Sequence, residues 1–266
     1  MKKINLLLGL FCSTMVMGVN PIPTDTYMNF PLNGNASEMS GNNFYGTFYG
    51  GITATTDRFG NPSGALQFDG TSGYIDIPCN EKLGTVDFSV SYWACPDTEN
   101  KGFVFTKEQS FMPQNQFRMG GNGDYFGCFC DSTVVIGGGL PYNPTADEWS
   151  FYTIVRKSDS INLYVNGVYK STLKTAIPID NKNTLNYRIG AMHNADTYYK
   201  GKIDDLKMFK RVLSTNDIKA LYSDNQDQKL NLLINPGAEN DFSDWTKEDG
   251  GSGWGMATNG VQGKAW

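Results

Sequence analysis

A chain of 266 residues is long enough to bury a full hydrophobic core. Its 30 glycines and 13% aromatic content, against only 18% charged residues, favour many short strands and tight turns over a helical bundle. A formal net charge of -5 and a pI near 4.9 repel a polyanion, and Lys and Arg nowhere cluster, which argues against nucleic acid as a partner.

The chain opens on Met1-Lys2-Lys3 and a mostly apolar run from Ile4 to Met17, and Gly18 with Val16 offers a small-residue cleavage site. This is the pattern of a secretory signal peptide over residues 1–18, with the mature chain beginning near Val19. The apolar run falls short of the roughly 20 residues that a spanning helix needs, so no membrane span is expected. Cys12 follows the bulky Phe11, which disfavours a lipid anchor.

Alternating or apolar runs then recur between turn residues, and each reads as a strand. They are Tyr27 to Leu32, Ala65 to Phe68, Tyr74 to Ile77, Phe88 to Cys95, Phe103 to Thr106, Gln116 to Met119 and Tyr125 to Cys130. Val134 to Ile136, Trp149 to Arg156, Ile161 to Val165, Tyr187 to Ile189 and Lys202 to Phe209 continue the series. So many strands require two packed sheets. Asn166-Gly167, flanked by Val165 and Val168, predicts a type I′ turn joining Ile161 to Val165 with Tyr169 to Leu173. One short helix is expected over 215–222, capped by Ser214 with Asp217 in its first turn and an apolar stripe of Ile218, Leu221 and Tyr222.

The polar stretch from Ser223 to Lys229 reads as a linker, so a β-domain over 19–226 is expected to precede a second, incomplete β-domain over 227–266. With Cys12 removed, Cys79, Cys95, Cys128 and Cys130 remain, an even number in an exported chain. Cys128 and Cys130 are two apart in a strand-like run and are poorly placed to bond each other. The sequence alone does not pair them; Cys95 with one of that pair, Cys128 in first place, is the preferred bridge, with buried unpaired thiols as the alternative. A Cys/His metal site has no support, because His193 is the one histidine and no Cys-x-x-Cys occurs.

Five segments in order resemble the laminin-G-like jelly-roll domains of the concanavalin A-like lectin/glucanase kind. They are Phe30-Pro31-Leu32-Asn33-Gly34-Asn35-Ala36, Gly64 to Gly70 running into Tyr74 to Pro78, Phe88 to Trp93, Trp149 to Arg156 with Leu163 to Gly167, and Tyr199 to Leu206 with Phe209 and the helix. The resemblance spans about residues 27 to 223 and implies an all-β, two-sheet antiparallel jelly-roll sandwich. Asn231 to Glu239 with Trp245 is similar to the opening of a galactose-binding-like carbohydrate-binding domain. The first resemblance also implies a structural calcium ion where the opening turn meets the closing strand, which points to Asn35, Glu38, Asn43, Asp204 and Asp205.

Glucanases on this sandwich need two carboxylates on one strand face, and their Glu-x-Asp-x-x-Glu pattern is absent here. Asp204 and Asp205 are adjacent, so on a regular strand they point to opposite faces. His193 has no nucleophile motif to serve, and no catalytic residues are assigned. Sugar recognition needs a flat apolar platform with polar groups at its rim, and Tyr125, Phe126, Tyr142, Tyr198 and Tyr199 lie in or near Gly- and Asn-rich loops. These features together predict a secreted or cell-surface, non-catalytic module that binds a polysaccharide, glycoprotein or extracellular protein. The alternative is a structural or adhesive spacer attached to a glycoside hydrolase or other enzyme beyond the C-terminus.

Overall fold

The computed structural model describes residues 21–79, 87–100, 102–107, 116–121, 128–130, 142–174, 185–193 and 197–223, and two short strands further on. At 116, 128–130, 245–247 and 254–256 only the backbone is described. The expected signal segment, the strand over 134–136, the linker after 223, Tyr125 and Phe126 lie outside the described residues.

Two antiparallel sheets form the sandwich. Sheet A runs in the order β12 (Val168–Lys174), β11 (Ser160–Val165), β10 (Ser150–Lys157), β6 (Phe88–Pro96), β14 (Lys200–Phe209), β4 (Ala65–Asp69) and β3 (Ile52–Thr55), and β1 (Met28–Phe30) also pairs with β14. Sheet B runs β2 (Thr47–Tyr49), β5 (Tyr74–Ile77), β13 (Tyr187–Ile189), β7 (Phe105–Lys107), β8 (Gln116–Met119) and β9 (Cys128–Cys130). Strands β15 (Trp245–Lys247) and β16 (Trp254–Met256) pair with each other. The all-β jelly-roll reading of the sequence is what the chain adopts.

Alternation along the strands sets the main core. Phe68, Ile75, Ile77, Val90, Tyr92, Phe105, Phe117, Ile154, Tyr187, Ile189, Ile203 and Met208 all point between the sheets and are buried. A second apolar cluster lies on the outer side of sheet A, where Trp93, Phe151, Val155 and Phe209 pack against Leu213, Ile218 and Leu221. The helix α1 (215–223) covers that side. Trp93 is thus buried as expected but belongs to this outer cluster, with its ring 5.9 Å from Tyr222 and 5.3 Å from Phe151.

Local signals act as their chemistry dictates. Asn166 and Gly167 have φ of 51° and 75°, both positive, as a type I′ turn requires, and the turn joins β11 to β12 with Val165 opposite Val168. Ser214 and Asp217 cap α1 reciprocally: the Asp217 N–H donates to Ser214 Oγ at 3.1 Å and the Ser214 N–H to Asp217 Oδ2 at 2.8 Å.

Two strands of the sandwich escape the sequence pattern, β2 and β3. They are short and largely exposed, with only Gly50 and Gly51 between them, yet β2 belongs to sheet B and β3 to sheet A. Gly50 permits that crossing, since its φ is +67° and a Cβ there would meet the Ser72 carbonyl oxygen at 2.0 Å.

Candidate functional site

The outer face of sheet B carries the most prominent cluster of aromatic side chains in contact with charged groups and solvent. Because Ile75, Ile77, Tyr187 and Ile189 point inward, Tyr74 and Asp76 on β5 and Arg188 on β13 occupy the alternate, outward positions. Register sets Tyr49 opposite Tyr74, and Arg188 opposite Asp76. Tyr49 and Tyr74 stack with centroids 4.8 Å apart and planes at 9°. The guanidinium of Arg188 covers the Tyr74 ring at 4.4 Å.

Arg188 is itself fixed. Its Nε donates to Asp76 Oδ1 at 2.9 Å, its Nη1 donates to the carbonyls of Met192 and His193, and Asn186 Nδ2 donates to Asp76 Oδ2 at 2.6 Å. Tyr198 joins the row, its ring 6.4 Å from Tyr74. Tyr49 is 46% exposed, so the row ends in a flat apolar surface backed by a second ring and a cation. A ring held in this way is a ready platform for the C–H face of a pyranose or furanose, with tyrosine hydroxyls at its margin.

The turn beneath Tyr49 and Tyr74 is held by one carboxylate. Asp69 Oδ1 accepts the N–H groups of Thr71, Ser72 and Gly73, and Oδ2 accepts both hydroxyls of Thr71 and Ser72. Ser72 Oγ in turn accepts the Gly51 N–H at 2.9 Å. Burial works against the charge of Asp69, but the bonds from Ser72 and Thr71 outweigh it and hold this carboxyl well below the usual range.

A second recess of about 340 Å³ lies at one end of the sandwich, lined by Asp97, Thr98, Asn100, Gly121, Asn143 and Pro144 among others. Its floor is rigid: Asn100 Oδ1 accepts the N–H groups of Gly102 and Lys200, and Asp97 Oδ1 accepts that of Glu99.

The tyrosines expected to touch ligand divide. Tyr198 belongs to the row on sheet B. Tyr142 is half-buried and meets Tyr152 edge-on at 6.1 Å. Tyr199 is 1% exposed and packs against Phe68, so it is a core residue and not a contact for ligand. Tyr49, Tyr74 and Arg188 carry the site but do not stand out in the sequence. Tyr49 follows Thr47-Phe48, a β-prone run immediately before Gly-Gly, which is the local signal that could have marked it.

Four of the five expected calcium ligands, Asn35, Glu38, Asp204 and Asp205, are engaged by the protein itself. Both carboxylates of Asp204 and Asp205 pair with the guanidinium of Arg58, which reaches Asp205 Oδ2 at 2.8 Å. The two acids were expected on opposite faces, and a bulge corrects this. The register of β14 shifts between Asp204 and Lys207 and Asp205 takes φ +49°, which turns both acids toward one partner. Arg58 is 6% exposed and sits between the rings of Phe59 and Trp93, 4.4 and 4.5 Å from their centroids. Burial first, then the neighbouring Asp205 carboxylate, pushes Asp204 up to about 8, with Arg58 pulling the other way.

Glu38 Oε1 accepts the N–H groups of Asn29 and Ser40, and Asn35 bridges the backbone of Asn33 and Ser37. Asn43 takes φ +58°, a left-handed turn position. As placed, Asp204 and Asp205 do not fit a calcium ion, because Arg58 already supplies the positive charge. Among the described residues, no three acidic, histidine or cysteine side chains cluster as a metal site.

The disulfide expected between Cys95 and Cys128 is not formed: Cys95 is a free, buried thiol, which burial pushes upward in pKa. Cys95 shares the outward side of β6 with Trp93, while Val90, Tyr92 and Ala94 take the inward side. Cys128 stands in the other sheet opposite Arg118, on a strand partner whose core positions are Phe117 and Met119. The two cysteines therefore belong to opposite sheets.

The profile of the "Concanavalin A-like lectin/glucanases superfamily" matches residues 69–219. The chain belongs to the concanavalin A-like lectin/glucanase superfamily. No curated protein matches its sequence. Among solved structures, domain 4 of AbnA, a GH43 extracellular arabinanase from Geobacillus stearothermophilus in complex with arabinotriose, is 18% identical with a TM-score of 0.59, covering 74% of this chain and 98% of that one. A structure of botulinum neurotoxin type C, described as depending on two ganglioside molecules for cell entry, is 15% identical with a TM-score of 0.56, and the match covers 76% of this chain. The receptor-binding domain of a botulinum neurotoxin C/D mosaic is 17% identical with a TM-score of 0.53, covering 75% of this chain. The matched part spans about half the length of the neurotoxin chains, 51% in each. At these identities the likeness is one of fold, a sandwich shared across the superfamily.

Proposed function

We propose that the chain is a non-catalytic glycan-recognition module of an exported protein, and that it holds sugar on the tyrosine row of sheet B. The observation that carries this reading is the parallel Tyr49–Tyr74 stack, braced by Arg188 and Asp76 and presenting the exposed face of Tyr49. Such a platform gains from stacking because it is rigid before ligand arrives, so little side-chain freedom is lost on binding. The similar domain 4 of AbnA is described with arabinotriose bound, which makes arabino-oligosaccharides the first probe to use. The carboxylates of Asp204 and Asp205 are already paired with Arg58, and that of Asp76 with Arg188, which favours a binding role.

The test is a glycan array followed by calorimetric titration with arabino-oligosaccharides. Retention of a glycan by the chain is expected, with Tyr49→Ala weakening it roughly tenfold, about 1.4 kcal/mol. Retention of no sugar at all would leave the spacer reading in place. Equal binding by the wild type and Tyr49→Ala would move the site elsewhere, and Asn143→Ala would then ask whether the recess at the end of the sandwich holds it. Turnover of a β-glucan would establish an enzyme instead.

A further inference from the structure

Strand alternation places one lysine where the core expects an apolar side chain. Phe105 and Lys107 share the inward side of β7, and Lys107 is fully buried, at 0% exposure. Burying a lone ammonium is costly, and natural cores keep one only with a partner. Among the described residues, the Lys107 Nζ partners are the Cys79 Sγ, 3.1 Å away, and the face of Tyr187, 4.2 Å away. Cys79 is also buried, in the main core just past β5. Tyr187 lies on β13, the strand between β5 and β7 in sheet B. A thiol and an amine thus face each other across a central strand, sealed from bulk water.

We propose that Cys79 and Lys107 are a covalent modification site, joined on oxidation by a single oxygen atom between Sγ and Nζ. The oxidant is dioxygen, small enough to enter a packed core. One of its oxygen atoms bonds to both sulfur and nitrogen, while the S–H bond and one N–H bond break. The other oxygen atom leaves as water with those two hydrogens. Sulfur and nitrogen each give up two electrons, which together reduce dioxygen fully, and an ammonium proton is released when the amine enters protonated. Burial lowers the proton affinity of Lys107, with the Cys79 thiol opposing, which favours the neutral amine that the reaction needs. The separation is close to the span of one bridging atom, so neither strand has to move. The finished link would tie the end of β5 to β7 across β13, joining positions 28 apart in sequence.

The experiment compares the full chain kept reduced and oxygen-free with the same chain equilibrated in air. Intact mass should rise by one oxygen less two hydrogens, and a thiol reductant should reverse the gain. Digestion should give a joined peptide pair containing Cys79 and Lys107, with trypsin no longer cutting after Lys107. Lys107→Met should abolish the joined pair. An unchanged mass overturns the proposal, as does a gain of whole oxygens on Cys79 with normal cleavage after Lys107, or a disulfide from Cys79 to another cysteine. Should Lys107→Met fail to fold, the peptide map of the wild type decides alone. Sugar binding is not used as a readout, so this outcome is independent of the function proposed above.

Discussion

The two outer faces of the sandwich have opposite fates. On sheet A, Trp93, Phe151, Val155 and Phe209 leave an apolar surface that α1 covers through Leu213, Ile218 and Leu221, while Arg58 is held between Trp93 and Phe59. On sheet B, Tyr49, Tyr74, Asp76 and Arg188 form a surface over which no such layer lies among the described residues, and its charges pair with each other and its rings stack. In a fold with two equivalent-looking sheets, the side chains at outward strand positions decide which face is sealed and which is left to meet a partner.

Breaking the sealed face should cost stability and spare binding. Trp93→Ala removes a side chain that is 3% exposed and touches Phe151, Tyr222 and Arg58. Chemical denaturation should show a loss of about 3–5 kcal/mol. Arg58→Met should cost about 3–5 kcal/mol at neutral pH, because the Asp204 side chain, 3% exposed, loses the cation that pairs with it and must stay protonated to remain buried, while the unfolded carboxyl ionises freely. That loss should shrink as pH falls. A carboxyl whose folded pKa lies above its unfolded value favours the fold fully below about pH 4, and the benefit disappears as pH rises through the folded value. Denaturation curves for Arg58→Met across this range check the sign, and a loss that grew in acid would contradict the burial argument.

Smaller effects are expected under the open face. Asp69→Asn weakens the turn below Tyr49 and should cost about 1–2 kcal/mol at neutral pH. Here the folded pKa lies below the unfolded one, so the stabilisation is present above about pH 4 and is lost as pH drops toward the folded value. Wild-type melting temperature should therefore fall in acid more steeply than that of Asp69→Asn. Tyr49→Ala, at an exposed edge position, should change stability by less than about 0.5 kcal/mol while weakening glycan binding. A large drop in melting temperature for this variant would mean that the ring is structural.

Most of the sandwich was legible in the sequence, because buried strands such as β6 and β10 are long and continuously apolar or alternating, and Asn166-Gly167 and Ser214 with Asp217 carry their own chemistry. What the pattern hid is what tertiary contacts decide. Strands β2 and β3 are exposed and three and four residues long, so neither has a core face to read. Which side of β6 Trp93 takes depends on α1, more than a hundred residues later. The bulge at Asp205 overrides the alternation that placed Asp204 and Asp205 apart, and their pairing with Arg58 depends on a loop far away in sequence. Tyr198 was recognisable as a loop aromatic, but the row it completes exists only once β2, β5 and β13 are neighbours.

The position of β14 has a consequence for how the molecule is made. This strand lies between β6 and β4 and also pairs with β1, so three partners from the first half of the chain wait for it. During synthesis from the N-terminus, their hydrogen-bonding edges stay uncovered until residue 209 has left the ribosome. A nascent chain stalled before that point carries open, aggregation-prone edges, whereas one stalled just after it already has every described strand of both sheets.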